Sequence, residues 1–263
     1  CIGSQVREMA FALQPGEILL LENLRFDPRE EQNAPDFAYA LAGLADLYVN
    51  DAFGVAHRGH ASTEGVTHYL PSVAGLLLER ELNMLGAILD NPREPVVAIL
   101  GGAKANDKIH LIENLFGKVD ALLIGGGMAA PFLRAQGHST GASFVDTNSL
   151  EFAKELFKKA DLARVRLVIP TDVIVARSIT DEGTYMEVPV SQIRDDVMIM
   201  DVGTTTLDSF EREVRVAKTI LWNGPLGIFE VPYFAKGTTR LAECLASLID
   251  ATIVVGGGST AEA

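Results

Sequence analysis

Residues 96–130 read VVAILGGAKANDKIHLIENLFGKVDALLIGGGMAA, and this stretch decides the fold. A run of five apolar residues enters a glycine loop, and apolar residues at helical spacing follow over 109–116. A second apolar run at 121–124 enters another glycine loop, from which a helix continues at Met128. A strand, a helix and a second strand in this order are typical of a β-α-β unit with parallel strands.

The same alternation continues in both directions along the chain. The predicted strands are 18–21, 47–50, 167–169, 197–200, 219–222 and 252–255, the predicted helices are 35–45, 76–89 and 238–248, and 179–193 is a polar, antiparallel patch. We therefore predict an α/β protein with two doubly wound, Rossmann-like parallel-sheet lobes joined by a hinge helix. The N-terminal lobe, 1–75, is incomplete, the connecting helix is 76–91, and 92–263 forms a C-terminal lobe truncated at its end.

The composition is that of a soluble globular protein. Hydrophobic residues make up 48% and charged residues 22% of the 263 residues, and no apolar run is long enough to cross a bilayer. The net charge of −13 argues against binding to nucleic acid or to an anionic membrane surface. Cys1 and Cys244 form neither a disulfide framework nor a metal-ligand spacing, so we expect a reduced, cytoplasmic compartment.

Four predicted strands of the C-terminal lobe run into glycine loops. GGAKANDK follows 96–100, GGG follows 121–124, NGP follows 219–222 and GGGST follows 252–255. In doubly wound sheets, ligands lie outside the carboxyl ends of the strands, and glycine lets main-chain N–H groups approach a phosphate closely. Glycine also serves tight turns for steric reasons alone, but four such loops in one lobe favour a phosphate-binding site.

Two lysines four residues apart, Lys104 and Lys108, lie in the first glycine loop with Asp107. Four residues are about one helical turn, so both ammonium groups can point from the start of a helix toward the same phosphates. The alternative is a solvated helix start. Because lysine is unfavourable beside the positive end of a helix dipole, an anion that both lysines neutralise is the simpler explanation.

The N-terminal lobe contributes a second group of cations. Arg25 and Arg58 each follow a predicted strand, with His57 and His60 nearby. Guanidinium groups match the oxygens of phosphate and carboxylate, which suits a small phosphorylated carboxylic acid, although each arginine alone could equally form a structural ion pair. The sequence contains no GxxxxGK[ST] loop and no GxGxxG fingerprint, so the commoner nucleotide-binding motifs are absent.

Taken together, these segments resemble the phosphoglycerate kinase family over essentially the whole chain. The resemblance depends on LLLENLRF, VNDAFGVAHRGHAS, GGAKANDKI, IGGGMA, WNGPLGIFE, FAKGTT and VVGGG, in the order that the family has them. It implies a phosphotransferase of glycolysis and gluconeogenesis that moves a phosphoryl group between 1,3-bisphosphoglycerate and ADP, giving 3-phosphoglycerate and ATP. It further implies Mg²⁺ with ATP or ADP as the cofactor, a cytoplasmic monomer, and a hinge motion that brings the two lobes together.

The resemblance also implies roles for particular residues. Lys108, Arg25 and Arg58 are the implied catalytic residues, and Arg25, His57, Arg58 and His60 would bind the phosphoglycerate. The implied nucleotide-binding residues are Gly102, Lys104, Asp107, Lys108, Gly125, Gly126, Gly127, Asn223, Gly224, Pro225, Glu230, Gly256, Gly257, Gly258, Ser259 and Thr260. Ser259 is the implied metal contact, through water.

Two positions depart from the family pattern. Ser259 occupies the place where members commonly have the aspartate that coordinates magnesium, and Gly203-Thr204 replaces the usual Gly-Pro. The family's earlier N-terminal segments and its last C-terminal segment have no counterpart here, so we expect an isolated piece of this kind to be inactive. Two rivals stay open: a phosphate-ligand binding protein that has lost turnover, and a dinucleotide-dependent oxidoreductase of the same fold class.

Overall fold

The computed structural model describes residues 1–102, 108–180 and 185–263. They form two compact units, Cys1–Asp90 and Asn91–Ala263. Within the described residues, no helix is both long enough and apolar enough to span a membrane. The role of a connecting helix between two lobes stays a prediction.

The first unit is built around a small apolar cluster and one pair of parallel strands. Its elements are α1 (Ser4–Ala12), α2 (Pro28–Glu31), α3 (Pro35–Ala42), β1 (Tyr48–Asn50), β2 (Ser72–Ala74) and α4 (Leu76–Asp90). Phe37, Ala38 and Ala61 are completely buried and form the cluster. The strand predicted at 47–50 and the helices predicted at 35–45 and 76–89 are confirmed with small changes at their ends.

The buried strand predicted at 18–21 is wrong. Ile18 and Leu20 are 92% and 91% exposed. A segment forms a strand only where a neighbouring strand satisfies its main-chain N–H and C=O groups, and within this unit β1 pairs with β2 instead. The apolar composition of 18–21 therefore did not lead to a strand.

The second unit contains a five-stranded parallel sheet with helices on both faces, as the sequence predicts. In chain order the elements are β3 (Val96–Leu100), α5 (Ile109–Leu115), β4 (Ala121–Ile124), α6 (Ala129–Ala135), α7 (Thr147–Ala163), β5 (Arg166–Val168), β6 (Asp172–Ala176), β7 (Met186–Pro189), β8 (Met198–Val202), α8 (Thr204–Val216), β9 (Thr219–Asn223), α9 (Lys236–Ala246), β10 (Thr252–Gly256) and α10 (Gly258–Glu262). The strand order in the parallel sheet is β10-β9-β3-β4-β5.

Alternate residues of the central strands pack into two different cores. Ala98 and Leu122 face a cluster with Phe132 of α6, whereas Ile99 and Leu123 face a cluster with Phe210 of α8. All five residues of β3 are buried. Burial on both faces is the property of a parallel sheet covered by helices, and it explains why these strands are continuous apolar runs in the sequence.

Three strands of the second unit form a separate antiparallel sheet in the order β7-β6-β8. The predicted antiparallel patch at 179–193 contains β7, and the predicted strand at 197–200 corresponds to β8. Strand β6 was not predicted, and neither were helices α7 and α8.

Two buried aspartates of this small sheet hold the starts of helices. Asp172 accepts hydrogen bonds from the N–H groups of Thr205 and Thr206 in the first turn of α8. Burial raises the pKa of Asp172, but the hydrogen bonds from Thr206 and Thr205 outweigh it and hold the pKa below its ordinary value. Asp201 accepts the N–H of Gly237 in α9, and burial raises its pKa to about 7 although main-chain N–H groups oppose the shift.

Thr204 stands where the family that the sequence resembles commonly has proline, and it has a partner that proline could not bind. Its N–H donates to Glu187 Oε1 at 2.6 Å and its hydroxyl to Oε2 at 3.1 Å. Proline is well suited to the first position of a helix. By restricting the unfolded chain, it would raise the free energy of unfolding by about 0.4–1 kcal/mol. Losing hydrogen bonds to a charged carboxylate costs about 1.5–3 kcal/mol, so we expect Thr204→Pro to lower the free energy of unfolding by about 1 kcal/mol.

The measurement is urea denaturation of Thr204→Pro in the wild-type and the Glu187→Ala backgrounds. With Glu187 removed, the same substitution should be neutral or stabilising. An equal loss in both backgrounds would show that the contact with Glu187 contributes nothing.

Candidate active site

The order of the parallel strands creates a switch point between β3 and β9. From β3 the chain first adds β4 and β5 on one side and later adds β9 and β10 on the other. The loops that leave β3 and β9 therefore diverge, and in open α/β sheets the crevice between such loops is where ligands bind. The carboxyl ends of the two strands are paired, with Leu100 opposite Asn223.

Glycines join three of the loops at this edge through main-chain hydrogen bonds. The N–H of Gly101 donates to Asn223 O at 3.0 Å, that of Gly102 to Pro225 O at 2.8 Å, and that of Gly126 to Leu226 O at 2.9 Å. These three N–H groups are thus bonded to protein carbonyls.

The loops approach one another closely, which explains why positions 101, 126 and 224 require glycine. A Cβ atom at Gly101 would lie 2.1 Å from Pro225 O, and one at Gly224 would lie 2.3 Å from Gly101 O. Gly224 and Gly126 also have positive φ angles of 101° and 61°, which other residues rarely adopt. For these glycines of the four loops, close packing of the main chain is therefore a sufficient reason for glycine, without a bound phosphate.

Lys108 brings a positive charge to the switch point. Its Nζ donates to Gly101 O and to Asn223 O, at 2.7 Å each, and so bridges the ends of β3 and β9. A Cβ at Gly102 would lie 3.6 Å from the same Nζ. The lysine is partly buried, with its ammonium group beside the glycine loops that follow β3 and β9.

Helix α10, which follows β10, reaches the same edge through Thr260. This residue is 5% exposed, and its Oγ1 accepts the N–H of Gly224 at 2.7 Å, so its side chain supports the neighbouring loop. Gly256 and Gly257 lie near the Asn223 side chain, whereas a Cβ at Gly258 would meet nothing within 4 Å. Ser259 is exposed.

A cavity of about 630 Å³ opens beside these loops, a volume typical of small-molecule sites. Most of its wall is apolar, and Ser259, Ser143 and Glu230 add polar groups. The cavity is lined by Gly102, Gly126, Gly127, Ala130, Ser143, Phe144, Ile179, Met198, Ile199, Met200, Pro225, Gly227, Ile228, Phe229, Glu230 and Ser259. The structure thus brings six of the predicted nucleotide-binding residues to one cavity.

Sequence reasoning missed the apolar part of this wall. Its members come from β8, from the loop after β9 and from two segments distant in sequence, and they include Phe144, Ile179, Met198 and Phe229. Phe144 is 79% exposed, which is unusual for an aromatic side chain. No motif marks these residues, since only the fold brings them together.

The predicted cations of the first unit lie in two neighbouring segments. Arg25 is in the short 3₁₀ turn Leu24–Phe26, with its Nε 4.0 Å from Glu31 Oε1. His57 and Arg58 are exposed in the loop after β1, whereas the His60 side chain is only 14% exposed and its Nδ1 lies 3.8 Å from Glu30 Oε1. Lys104 and Asp107 lie outside the described residues, and the roles assigned to all these side chains stay predictions.

A doubly wound sheet with a glycine-bordered cavity at its switch point defines the class as an open α/β protein with a ligand crevice at the carboxyl ends of its strands. Comparison with known proteins then gives the family. The model of the family described as phosphoglycerate kinase matches residues 1–263, so the chain belongs to the phosphoglycerate kinase family, a family of phosphotransferases. The resemblance seen in the sequence is confirmed.

Relatives of similar sequence are also phosphoglycerate kinases. The phosphoglycerate kinase of Chlorobium phaeobacteroides (strain BS1) is 51% identical over 269 residues, covering 100% of this chain and 67% of that protein. The phosphoglycerate kinase of Moorella thermoacetica is 49% identical, and the match covers 99% of this chain and 66% of that protein. The chain spans about two thirds of the length of these relatives.

Solved structures show the same fold. The structure of phosphoglycerate kinase from Coxiella burnetii superposes with a TM-score of 0.84 at 41% identity, covering 95% of this chain and 64% of that one. The structure of phosphoglycerate kinase from Pyrococcus horikoshii OT3 superposes with a TM-score of 0.84 at 29% identity, and the match covers 99% of this chain and 67% of that one. The predicted α/β fold class is confirmed.

Proposed function

We propose that the protein to which this chain belongs catalyses reversible phosphoryl transfer between 1,3-bisphosphoglycerate and ADP, giving 3-phosphoglycerate and ATP. This reaction would place it in glycolysis and gluconeogenesis, as a cytoplasmic monomer. One observation carries the proposal: at the switch point between β3 and β9, a cavity of nucleotide size lies beside loops bridged by the ammonium group of Lys108. Membership in the family supports the choice of substrates.

In this proposal the second unit would bind the nucleotide and the first unit would bind the phosphoglycerate. The apolar cavity wall suits a flat nucleoside, and Glu230 at its edge suits ribose hydroxyls, because a carboxylate accepts hydrogen bonds from them. Lys104 and Lys108 would hold the phosphates. Arg25 and Arg58 would bind the anionic oxygens of the phosphoglycerate.

Transfer of a phosphoryl group requires alignment and positive charge more than covalent help from the protein. In this proposal the ammonium group of Lys108 stabilises the negative charge on the oxygens of the moving phosphoryl group. The carbonyls of Gly101 and Asn223 hold that ammonium group in place. An apolar wall beside the phosphates excludes water, which strengthens these electrostatic contacts.

Magnesium is the expected cofactor, and the oxygen donors at the cavity are compatible with it. Among the described residues, no group of three or more His, Cys, Asp or Glu side chains could hold a metal ion. The exposed hydroxyl of Ser259 fits a contact through a metal-bound water, with the nucleotide phosphates as the main ligands. When bound, Mg²⁺ would neutralise charge on the phosphate oxygens.

A coupled assay of the full-length protein tests the proposed function. With 3-phosphoglycerate and ATP in magnesium buffer, we expect 1,3-bisphosphoglycerate to form, detected by its reduction with a dehydrogenase and NADH. Calorimetric titration with ADP serves as the companion measurement. Binding of ADP without turnover would favour the rival, a phosphate-ligand binding protein that has lost activity.

Ser259 gives a sharper prediction about the metal. A carboxylate beside nucleotide phosphates would repel them unless Mg²⁺ lay between, so aspartate there requires the metal, whereas serine does not. We expect the full-length protein to be active and magnesium-dependent, and we expect Ser259→Asp to lower the half-saturating magnesium concentration. The expected change is about tenfold, the equivalent of one charge-assisted contact worth about 1.4 kcal/mol.

The measurement is a magnesium titration at fixed nucleotide concentration for the wild type and Ser259→Asp. Ser259→Asn is the matched control, because it has the size of aspartate without the charge, and it should leave the magnesium requirement close to that of the wild type. If Ser259→Asp does the same, the metal is held elsewhere and our assignment of this loop is wrong.

A further inference from the structure

Glu30 is a buried acidic residue that the proposed mechanism does not use. It lies in the short helix α2 and is 2% exposed. Burial of a carboxyl group is costly unless hydrogen bonds or an opposite charge compensate for it. Its partners therefore indicate what the residue is for.

Among the described residues, the side-chain hydrogen bonds and the ion pair of Glu30 all go to the segment 57–62, which carries three of the four predicted substrate cations. Oε2 accepts the N–H of Ser62 at 3.0 Å, and Oε1 accepts the hydroxyl of Ser62 at 2.5 Å. His60 Nδ1 lies 3.8 Å from Oε1. The carbonyl oxygen of Glu30 also accepts the N–H of Ala61 at 2.9 Å.

The same residue is joined closely to the other predicted cation. Helix α2 begins two residues after the turn Leu24–Phe26, which contains Arg25, and Glu30 N–H donates to Asp27 O at 3.0 Å. Glu30 thus connects the turn that carries Arg25 to the loop that carries Arg58. These two segments are distant in the chain, and Glu30 fixes their separation together with the apolar cluster in which Leu24 and Ala61 pack.

Three of the four predicted cations, Arg25, His57 and Arg58, are left exposed. Glu30 is occupied by Ser62 and His60, and within the described part of the chain neither Arg58 nor His57 forms a side-chain ion pair. A carboxylate paired with Arg58 would instead compete with an anionic ligand for the guanidinium group. Glu30 therefore holds the loop through Ser62 and His60 without pairing with Arg58.

We infer that Glu30 is a positioning residue, which sets the spacing between Arg25 and Arg58 for a phosphorylated carboxylic acid. The inference rests on the proposed function for its ligand. A purely structural role for Glu30 would affect stability alone. A positioning role also requires a selective effect on one substrate.

Steady-state kinetics of the full-length protein separate the two roles. For Glu30→Ala we expect the KM for 3-phosphoglycerate to rise at least about tenfold, because displaced cations lose their alignment with the ligand. The KM for ATP should change by less than about twofold. Hydrogen exchange of the amides of 58–62 should become faster at the same time, since Ser62 loses both of its hydrogen bonds to the Glu30 carboxylate.

Two further variants control the test. In Glu30→Gln the amide oxygen can accept the Ser62 N–H, and the amide NH₂ can donate to the Ser62 hydroxyl, so both kinetic constants should stay within about threefold of the wild type. Glu64→Gln is the matched control: its carboxylate forms hydrogen bonds with Asn33 and His68, whereas Ser62 forms its hydrogen bonds with Glu30. We expect it to leave the KM for 3-phosphoglycerate unchanged.

The possible failures are distinguishable. An unchanged KM for 3-phosphoglycerate in a folded Glu30→Ala protein would overturn the inference, even if its melting temperature falls. If Glu30→Ala does not fold, Ser62→Ala removes one of the two hydrogen bonds and should raise the same KM about threefold, and no change would again overturn it. Absence of turnover in the wild type would contradict the proposed function, and unchanged hydrogen exchange in the variants would then overturn the positioning role.

Discussion

Lys108→Ala is expected to lower kcat of the full-length protein by a factor of about 10²–10³, with a smaller effect on the KM for nucleotide. The structure supplies the reason, because two carbonyls at the ends of β3 and β9 hold the ammonium group 2.7 Å away. In the proposed mechanism, a charge fixed in this way at the switch point would stabilise the negative charge that develops during transfer without having to reorganise. The loss corresponds to about 2.7–4 kcal/mol of transition-state stabilisation.

Steady-state kinetics with both substrates measure this effect, and Lys118→Ala is the matched control. Lys118 follows the same helix, α5, at its other end and is exposed, so its removal should leave kcat unchanged. Because Lys108 also bridges two strands, thermal melting must show that the variant is folded at the assay temperature. A folded Lys108→Ala protein with the kcat of the wild type would remove Lys108 from the mechanism.

The parallel sheet of the second unit could be predicted because its strands are buried on both faces. Such strands are short apolar runs bounded by glycine, as at 96–100 and 121–124, and they are recognisable without knowledge of their neighbours. Strand β6 was missed although its sequence, DVIVA, is apolar, because Asp172 at its start interrupts the pattern. The structure shows that this aspartate is buried and caps α8, a role invisible before the fold is known.

Exposed segments were harder to interpret than buried ones. The run at 18–21 has the composition of a strand, but composition does not show whether a partner strand is available. Helix α8, in contrast, could have been recognised, since Leu207, Phe210 and Val214 recur at helical spacing and are buried.

The candidate site could be predicted in part for a similar reason. Its glycines and Lys108 belong to continuous motifs, whereas the cavity wall combines Phe144, Ile179 and Phe229 from separate loops. Contacts between residues distant in sequence depend on the fold and leave no local pattern. The sequence also could not separate glycines that pack against other loops from glycines that leave space for a ligand.

Gly101→Ala is expected to lower the free energy of unfolding by about 3 kcal/mol or more. The added Cβ would lie 2.1 Å from Pro225 O and 2.6 Å from Gly224 O, both main-chain atoms that cannot move aside as a flexible side chain can. Overpacking of a well-packed region costs about 1–3 kcal/mol, and a clash with two carbonyls belongs at the upper end of this range or beyond it. The loops after β3 and β9 would have to separate, which would also disturb the contacts of Lys108.

Gly258→Ala is the matched control for the same substitution in a different environment. Nothing lies within 4 Å of a Cβ at Gly258, and its backbone is not in the positive-φ region, so stability should stay within about 0.5 kcal/mol of the wild type. Its effect should instead fall on ligand binding. In the proposed site, a methyl group at the start of α10 would stand where a phosphate approaches the main chain, so we expect the Kd for ADP to rise about tenfold.

Thermal unfolding and calorimetric titration with ADP, carried out on both variants, distinguish the two kinds of glycine. In Gly101→Ala the melting temperature should fall, and in Gly258→Ala it should stay constant while binding weakens. The two outcomes are independent, because Gly101 is enclosed by the main chain of the next loop and Gly258 is open. If Gly258→Ala binds ADP as tightly as the wild type, the loop after β10 does not contact the phosphates, and the steric explanation would apply to this glycine loop as well.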